Sequence, residues 1–282
     1  MKILLTGGTG FIGSAVLERL RSAGHDVVAV VRSGDSARQV EKVGATAVVG
    51  DVTDRAWFAD QLRDVDGAIH TASPAEDAAG FDDAVVDAVI EAFGGTAKPF
   101  VHTGGVWTYG SGADLTEDSP EAPPAMTAWR LDREHRLLDS GLVASVVQPG
   151  IVHGRPQGVP MVLVDAPRDE SGALALVGDG SQHWTTIHVD DLADLYLAVL
   201  EQAPGGERYL GVSGENPTVR ELGEALADRV APQSVEQTVA RLGEPFAEAL
   251  LLDQQATGAK AREAFGWQPT RPGLVDELRA LR

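Results

Sequence analysis

Cysteine is absent from the 282 residues of this chain, which excludes disulfides, thiol catalysis and metal sites built from thiolates. Basic residues are scarce as well: 23 Lys and Arg stand against 42 Asp and Glu, which gives a formal net charge of −19. Phosphate backbones are bound by basic surfaces, and this surface should repel polyanions. We therefore expect no nucleic-acid partner.

Long hydrophobic runs are also missing. The apolar runs are short, such as residues 27–31, whereas a membrane helix needs ~20 apolar residues. The chain passes from Lys2 straight into an apolar run and a glycine turn, which leaves no room for a signal peptide. We expect a globular, cytoplasmic protein with a small-molecule substrate, no membrane partner and no bound metal.

Short β-branched runs alternate with helical patterns over the first half of the sequence. The patterns predict strands at residues 2–6, 27–31, 46–49, 67–70, 99–103 and 144–148, and helices at residues 11–23, 55–63, 81–93 and 126–140. This alternation is typical of right-handed βαβ crossovers. The predicted fold class is α/β, a doubly wound parallel (Rossmann) sheet with a smaller C-terminal substrate-binding subdomain.

The predicted domains follow from where this alternation stops. Residues 1–153 are predicted to form the Rossmann domain, to which residues 181–202 return, and residues 154–180 and 203–282 are predicted to form the substrate-binding subdomain. Residues 110–125 and 154–180 are rich in Gly and Pro, and we predict loops there, on the side where open α/β sheets bind ligands. A strand at 184–189 should lead into a helix at 191–201 with Asp190 as its N-cap.

A glycine turn separates the first predicted strand from the first predicted helix. Glycines at positions 7, 10 and 13 allow a tight turn, close approach of backbone N–H groups to a pyrophosphate, and close packing of helix on strand. A glycine triplet in this context is a strong dinucleotide signal, although a purely structural turn is the alternative. The predicted cofactor contacts here are Gly7, Thr9, Gly10, Phe11, Ile12 and Gly13.

The end of the second strand indicates which dinucleotide is bound. An acidic residue there would hold the ribose hydroxyls of NAD, whereas Arg suits the 2′-phosphate of NADP. This sequence has Arg32 and Ser33 at that position, which favours NADP(H); the alternative is a solvated surface Arg. Further cofactor contacts are predicted after the third and fourth strands: Asp51, Val52, Thr71, Ala72 and Ser73, with Asp51 bonding the adenine amino group.

These motifs together make the sequence resemble an extended short-chain dehydrogenase/reductase of the epimerase/dehydratase-like branch. The resemblance runs nearly end to end, through the glycine turn, Asp51-Val52, residues 101–110, 148–151 and 187–193, and the closing Gly266-Trp267-Gln268-Pro269. It implies cofactor contacts at Pro149 and Ile151. Family members are often homodimers, but no residue pattern here fixes the oligomeric state.

The catalytic positions of that family are altered here. Family enzymes use a Ser or Thr after the fifth strand and a Tyr-x-x-x-Lys motif; aligned on Glu134, the Tyr position is Met126 and the Lys position Arg130. The hydroxyl position falls at Gly104 or Gly105, next to Thr103. Met cannot transfer a proton and Arg cannot be deprotonated in a protein.

The resemblance therefore implies an atypical member with Thr103 and Arg130 as the catalytic candidates. Arg130 would also hold the ribose or a phosphate of the cofactor, or else form a surface ion pair with Glu134. We expect no Tyr of the protein beside the nicotinamide. Other candidate proton donors are Tyr109, His153, His183 and ordered water.

An apolar, aromatic lining is predicted for the substrate pocket, formed by Gly105, Trp107, Tyr109, Met126, His153 and Trp184. Core packing is the alternative for Trp184.

Three functions are consistent with the resemblance. The first is an NADPH-dependent ketoreductase of a small hydrophobic secondary metabolite, like the atypical antibiotic-pathway reductases of aromatic polyketides. The second is a sugar-nucleotide epimerase or dehydratase, and the third is a non-catalytic NADP(H)-binding regulator.

Overall fold

The computed structural model describes residues 1–282. The chain divides into two compact units. The first comprises Met1–Gly104, Trp129–Gln148 and Leu192–Tyr209, and the second comprises Gly105–Ala128, Pro149–Asp191 and Leu210–Arg282. This division differs from the predicted one, because residues 105–128, 149–153 and 181–191 belong to the second unit and residues 203–209 to the first.

The first unit is built on a seven-stranded sheet with the order β11-β7-β5-β4-β1-β2-β3. The strand order reverses between β1 and β4, and the pairs from β3 to β7 are parallel. This confirms the doubly wound α/β fold. The strands are β1 (Lys2–Thr6), β2 (Asp26–Val31), β3 (Thr46–Val49), β4 (Gly67–His70), β5 (Phe100–Thr103), β7 (Ala144–Pro149) and β11 (Glu207–Gly211).

Six helices belong wholly or mainly to this unit: α1 (Phe11–Ser22), α2 (Gly34–Lys42), α3 (Arg55–Arg63), α4 (Ala78–Phe93), α5 (Trp129–Leu138) and α7 (Val189–Gln202). The sequence patterns did not predict α2, because Val40 is the one buried residue of that helix and it has no apolar stripe. Its start is nevertheless well defined, since Ser33 is the N-cap and accepts a hydrogen bond from the Ser36 N–H at 3.2 Å.

Three predicted helix starts differ from the structure. Helix α4 begins at Ala78 rather than at residue 81. Helix α5 begins at Trp129 rather than at Met126, because turns occupy residues 125–128 after the Pro123-Pro124 pair. Helix α7 begins at Val189, so Asp190 lies in its first turn and is not its N-cap.

The second unit consists of short elements. Its strands form two-stranded pairs, all parallel: β6 (Gly112–Leu115) with β13 (Gln254–Ala256), β8 (Ile151–His153) with β10 (Thr186–His188), and β9 (Leu174–Ala175) with β12 (Val230–Ala231). Its helices are a 3₁₀ turn (Val106–Tyr109), α6 (Met161–Val164), α8 (Val219–Leu226), α9 (Val235–Leu242), α10 (Glu244–Leu250), α11 (Ala259–Phe265) and α12 (Leu274–Ala280).

The two predicted loops are thus not free of regular structure. Residues 110–125 contain β6, and residues 154–180 contain α6 and β9. The partners of β6 and β9 come more than 50 residues later in the chain, so local sequence could not indicate these pairings.

Each unit has its own apolar core. Phe58, Leu62, Phe93 and Phe100 pack in the first, and Leu163, Leu176, Leu222 and Leu250 in the second. None of the helices combines the length and the apolar composition needed to cross a bilayer.

Candidate functional site

The glycine turn has the tight geometry that a dinucleotide cradle requires. Gly7 adopts a φ of +77°, and a Cβ atom on it would lie 2.6 Å from Thr71 Oγ1. A Cβ on Gly13 would lie 2.0 Å from the Gly7 carbonyl oxygen. Helix α1 therefore starts directly against the turn, which only glycine permits at these two positions.

Helix α1 offers its first N–H groups to a ligand. No side chain caps its N-terminus at Gly10, and the helix dipole favours negative charge there. A cleft of about 410 Å³ opens at this point. A pyrophosphate is the group that such a helix start accommodates, so the residues present fit a dinucleotide.

The cleft brings together most of the predicted cofactor contacts. Those that line it are Gly7, Thr9, Gly10, Phe11, Ile12, Gly13, Arg32, Asp51, Val52, Thr71, Ala72 and Ser73. Ser33, Arg130, Pro149 and Ile151 are not among the lining residues. Ser33 caps α2, Pro149 ends β7 and Ile151 begins β8.

Several lining residues were not predicted: Val30, Val31, Ser36, Gly50, Pro74 and Phe81. Gly50 directly follows β3, and a Cβ on it would lie 2.2 Å from the Trp57 ring. Its position directly after a predicted strand could have identified Gly50 as a cleft residue, since ligands bind at the carboxyl ends of parallel strands. Ser36 had no such signal, because α2 itself was missed.

Charge at the cleft is arranged around Arg32 and Asp51. The backbone N–H and side chain of Thr53 hold the pKa of the Asp51 carboxyl below its ordinary value, with a smaller effect from Arg32. The Thr53 N–H donates to Asp51 Oδ1 at 2.9 Å. The Arg32 guanidinium is exposed, next to the start of α2, where both the charge and the helix dipole favour an anion.

Thr103, at the end of β5, makes two hydrogen bonds within the first unit. Its hydroxyl donates to the His70 carbonyl oxygen at 2.7 Å, and its Oγ1 lies 2.6 Å from the hydroxyl of Tyr196. Because the Thr103 proton is used by His70, Tyr196 is the donor in the second bond. Sequence reasoning missed Tyr196, which lies on α7, 93 residues later.

Arg130, in the first turn of α5, contacts the same residue. Its Nη1 donates to the Thr103 carbonyl oxygen at 3.2 Å, and its guanidinium lies 4.5 Å from the centroid of the Trp129 ring. Glu134 is fully buried and accepts from Gln148 Nε2 at 3.0 Å and Arg208 Nε at 3.1 Å. The alternative interpretation places Arg130 and Glu134 in an ion pair on the helix surface. Glu134 does not lie on the surface, so that part of the alternative is wrong.

The comparison with known proteins agrees with this geometry. The sequence model of an NAD(P)H-binding family matches residues 7–203, well over half of the chain. The chain belongs to this family. It is an NAD(P)-binding short-chain dehydrogenase/reductase of the epimerase/dehydratase-like type.

Similar proteins in this branch differ in their named activities. An uncharacterized protein of Schizosaccharomyces pombe is 29% identical, over 99% of this chain and 98% of its own. A 2-alkyl-3-oxoalkanoate reductase of Stenotrophomonas maltophilia is 29% identical over 100% and 98%, and a UDP-glucose 4-epimerase of Mycolicibacterium smegmatis is 28% identical over 95% and 94%.

Solved structures share the fold. A dTDP-glucose 4,6-dehydratase of Bacillus anthracis in complex with NAD matches with a TM-score of 0.79 and 19% identity over 99% of this chain and 96% of its own. The human epimerase family protein SDR39U1 with NADPH matches with a TM-score of 0.73 and 23% identity over 99% and 98%.

The predicted substrate-pocket residues all belong to the second unit. Trp184 is buried and its Nε1 donates to the Leu250 carbonyl at 3.0 Å, as core packing requires. Tyr109 is also buried, and its hydroxyl donates to the Glu117 carbonyl at 3.3 Å. Trp107 packs against the Phe246 ring with 6.4 Å between centroids.

The other predicted pocket residues and the candidate proton donor His183 lie in different local environments. His153 is buried, with Nδ1 at 2.7 Å from Glu277 Oε2, and Glu277 Oε1 lies 3.2 Å from His188 Nε2. Met126 is half-buried in the turn before α5, and Gly105 precedes the 3₁₀ turn. His183, a candidate donor, has its Nδ1 2.8 Å from Asp253 Oδ1.

Proposed function

We propose that this family member is an NADPH-dependent ketoreductase that reduces the carbonyl of a small hydrophobic secondary metabolite, with aromatic polyketides as the candidate class. The proposal rests on the two hydrogen bonds that the Thr103 hydroxyl makes. The Thr103 hydroxyl, next to the family's hydroxyl position at Gly104 or Gly105, gives its proton to a backbone carbonyl, while Met126 occupies the place of the family's Tyr. Neither Thr103 nor Met126 therefore offers a ready proton to a reacting ketone.

The choice of cofactor is supported by Arg32. A guanidinium makes charge-assisted, forked hydrogen bonds to a phosphate, and no acidic residue ends β2 to hold ribose hydroxyls instead. The nucleotide would lie with its pyrophosphate at the start of α1, between Gly7 and Phe11. When bound, NADPH supplies the hydride that reduces the carbonyl carbon.

The proton would then come from the substrate. A carbonyl that is hydrogen-bonded to a neighbouring phenol or enol is already polarised, and that group can protonate the alkoxide as it forms. Tyr196 is a poor substitute, because burial raises the pKa of its phenol well above the ordinary value. The side chains near Thr103 would orient the reactants rather than exchange protons with them.

The test is a comparison of two substrates. NADPH oxidation is measured with aromatic ketones that carry a hydroxyl group beside the carbonyl and with their methyl ethers. We expect the ethers to lose at least about 100-fold in kcat/KM, since general acid catalysis contributes about 10²–10⁴. Equal rates for the two would overturn the substrate-assisted mechanism.

Single substitutions of Thr103, Tyr109, His153 and His183 complete this test. A loss of more than ~10³ in kcat from any one would identify a protein acid instead. Turnover of UDP- or dTDP-sugars would show an epimerase or dehydratase, as the epimerase relatives suggest. Tight NADPH binding without turnover of any ketone would indicate a regulator.

A further inference from the structure

Two histidines and an aspartate meet inside the first unit, directly behind residues that line the cleft: His70 precedes Thr71 in the chain, and its ring lies 5.8 Å from the Phe81 ring. His70 on β4 and His102 on β5 are paired across the sheet, and their rings stack with 5.4 Å between centroids. Asp82 on α4 reaches between them. All three are at most 3% exposed.

The distances within this cluster are those of ligands around an ion. Asp82 Oδ1 lies 3.3 Å from His70 Nε2, and Asp82 Oδ2 lies 3.4 Å from His102 Nε2. Good hydrogen bonds to a carboxylate are shorter, about 2.7–2.9 Å. In a tetrahedral zinc site with bonds of about 2.1 Å, by contrast, neighbouring ligand atoms are about 3.4 Å apart. The possible ligand atoms of all three residues lie within 4.8 Å of one another.

His102 gives an independent indication. Its ring is 1% exposed, and neither of its nitrogens makes a hydrogen bond in the structure. Buried polar atoms are nearly always satisfied, and an unsatisfied one calls for a missing partner. Because Nε2 faces the Asp82 carboxylate, a cation between them would satisfy both groups.

His70 is already held as a metal ligand would be. Its Nδ1 lies 2.7 Å from Thr6 Oγ1, whose residue ends β1. A hydrogen bond on one ring nitrogen fixes the orientation of the imidazole and leaves the other free to bind, as in the outer shell of most histidine metal sites. Here the other nitrogen is Nε2, which makes a long hydrogen bond of 3.3 Å to Asp82 Oδ1 that a metal ion would replace.

A metal ion would also balance the charge of the cluster. The ion pairs of Asp82 are both with these two imidazoles. A carboxylate is costly to bury unless a positive charge lies beside it. Two imidazoles and one carboxylate are a ligand set suited to Zn²⁺ and similar divalent ions.

We propose that His70, Asp82 and His102 supply three ligands of a buried site for a divalent first-row transition metal ion, with Zn²⁺ as its natural occupant. This departs from the expectation of a metal-free protein, which rested on the lack of Cys. The site stabilises the strand ends from which Thr71 and Thr103 follow. Since it is fully buried, the ion is bound as the chain folds.

The test uses tag-free, full-length protein refolded from denaturant with Zn²⁺ or with a chelator. We expect one Zn²⁺ per chain by mass spectrometry after dialysis, and a melting temperature at least about 5 °C above that of the chelator-treated protein. Refolding with Co²⁺ should give visible absorption bands of a tetrahedral nitrogen–oxygen site. Less than 0.1 equivalent of Zn²⁺ together with unchanged melting would overturn the proposal.

Single substitutions test whether the ion is bound by these residues. His102→Gln and Asp82→Asn should each reduce the bound Zn²⁺ at least tenfold. The matched control is His25→Gln, because His25 is also buried but contacts a single acid, Glu201, at 3.0 Å; it should keep one equivalent. Retention of the ion by both site variants would contradict the assignment. If they fail to fold, the Zn²⁺ content and Co²⁺ spectrum of the unaltered protein decide.

Discussion

The phenol oxygen of Tyr196 lies 2.6 Å from the hydroxyl oxygen of Thr103. Tyr196 is fully buried on α7, whereas Thr103 ends β5 and is half-buried. The Thr103 hydroxyl in turn donates to the His70 carbonyl. A tyrosine thus supports the predicted catalytic threonine from inside the protein, which differs from the family's use of a tyrosine as the proton donor.

This relationship predicts that Tyr196→Phe affects stability more than catalysis. The variant removes one buried hydrogen bond, so the free energy of unfolding should fall by about 1–2 kcal/mol, while kcat for the ketone should stay within about tenfold. Thr103→Ser, which keeps both bonds, is the control. Urea unfolding and steady-state rates provide the measurements. A drop in kcat beyond ~10³ for Tyr196→Phe would make this phenol the source of the proton.

From the position of Arg32 we predict that the protein binds NADPH in preference to NADH. If its guanidinium binds the 2′-phosphate, Arg32→Ala should weaken NADPH binding by about 10–100-fold, the value of a charge-assisted hydrogen bond, and leave NADH binding nearly unchanged. Calorimetric titration with both cofactors measures this. Arg38→Ala is the matched control, because Arg38 lies on α2, which begins two residues after Arg32, but pairs with Asp35. An equal loss for NADH and NADPH would contradict the role of Arg32.

The glycine turn allows a test that compares two of its glycines, Gly13 and Gly8. Gly13→Ala places a methyl group 2.0 Å from the Gly7 carbonyl oxygen, so α1 must move away from the turn. Nucleotide binding should be lost, with a fall in stability of several kcal/mol. A Cβ at Gly8 meets its nearest atom, on Leu5, at 3.4 Å. Gly8→Ala should therefore bind NADPH almost normally; comparable losses in both variants would show that the turn tolerates no change at all.

The parts of this molecule that sequence patterns predicted are those set by neighbouring residues. Strand β1, the glycine turn and α1 are adjacent in the chain, and their apolar and glycine spacing predicts both the elements and the cleft. The contacts that were missed join residues that are far apart in the chain and are brought together only by tertiary packing. Tyr196 reaches Thr103 from α7, and His102 meets His70 because two strands pair in one register. Helix α2 lacked an apolar stripe, although its cap at Ser33 was available as a signal.

The buried His153 predicts how stability depends on pH. Burial lowers the pKa of this imidazole, and the hydrogen bond and charge of Glu277 offset that effect in part. His188 and Asp191 also act on the ring, the first lowering its pKa and the second raising it. In the folded protein His153 is consequently harder to protonate than in the unfolded chain, where the pKa is about 6.5.

The sign of the pH effect follows from this difference. As the pH falls through about 6.5, the unfolded chain takes up a proton that the folded protein does not, so the free energy of unfolding decreases by up to about 1.4 kcal/mol per pH unit. His153→Asn should remove this share of the decrease between pH 7.5 and 5.5, measured by urea unfolding at each pH. His135→Asn, at an exposed position of α5, should leave the profile unchanged. A steeper decrease in His153→Asn than in the unaltered protein would mean that the folded state holds His153 protonated, with Glu277 as the stronger influence.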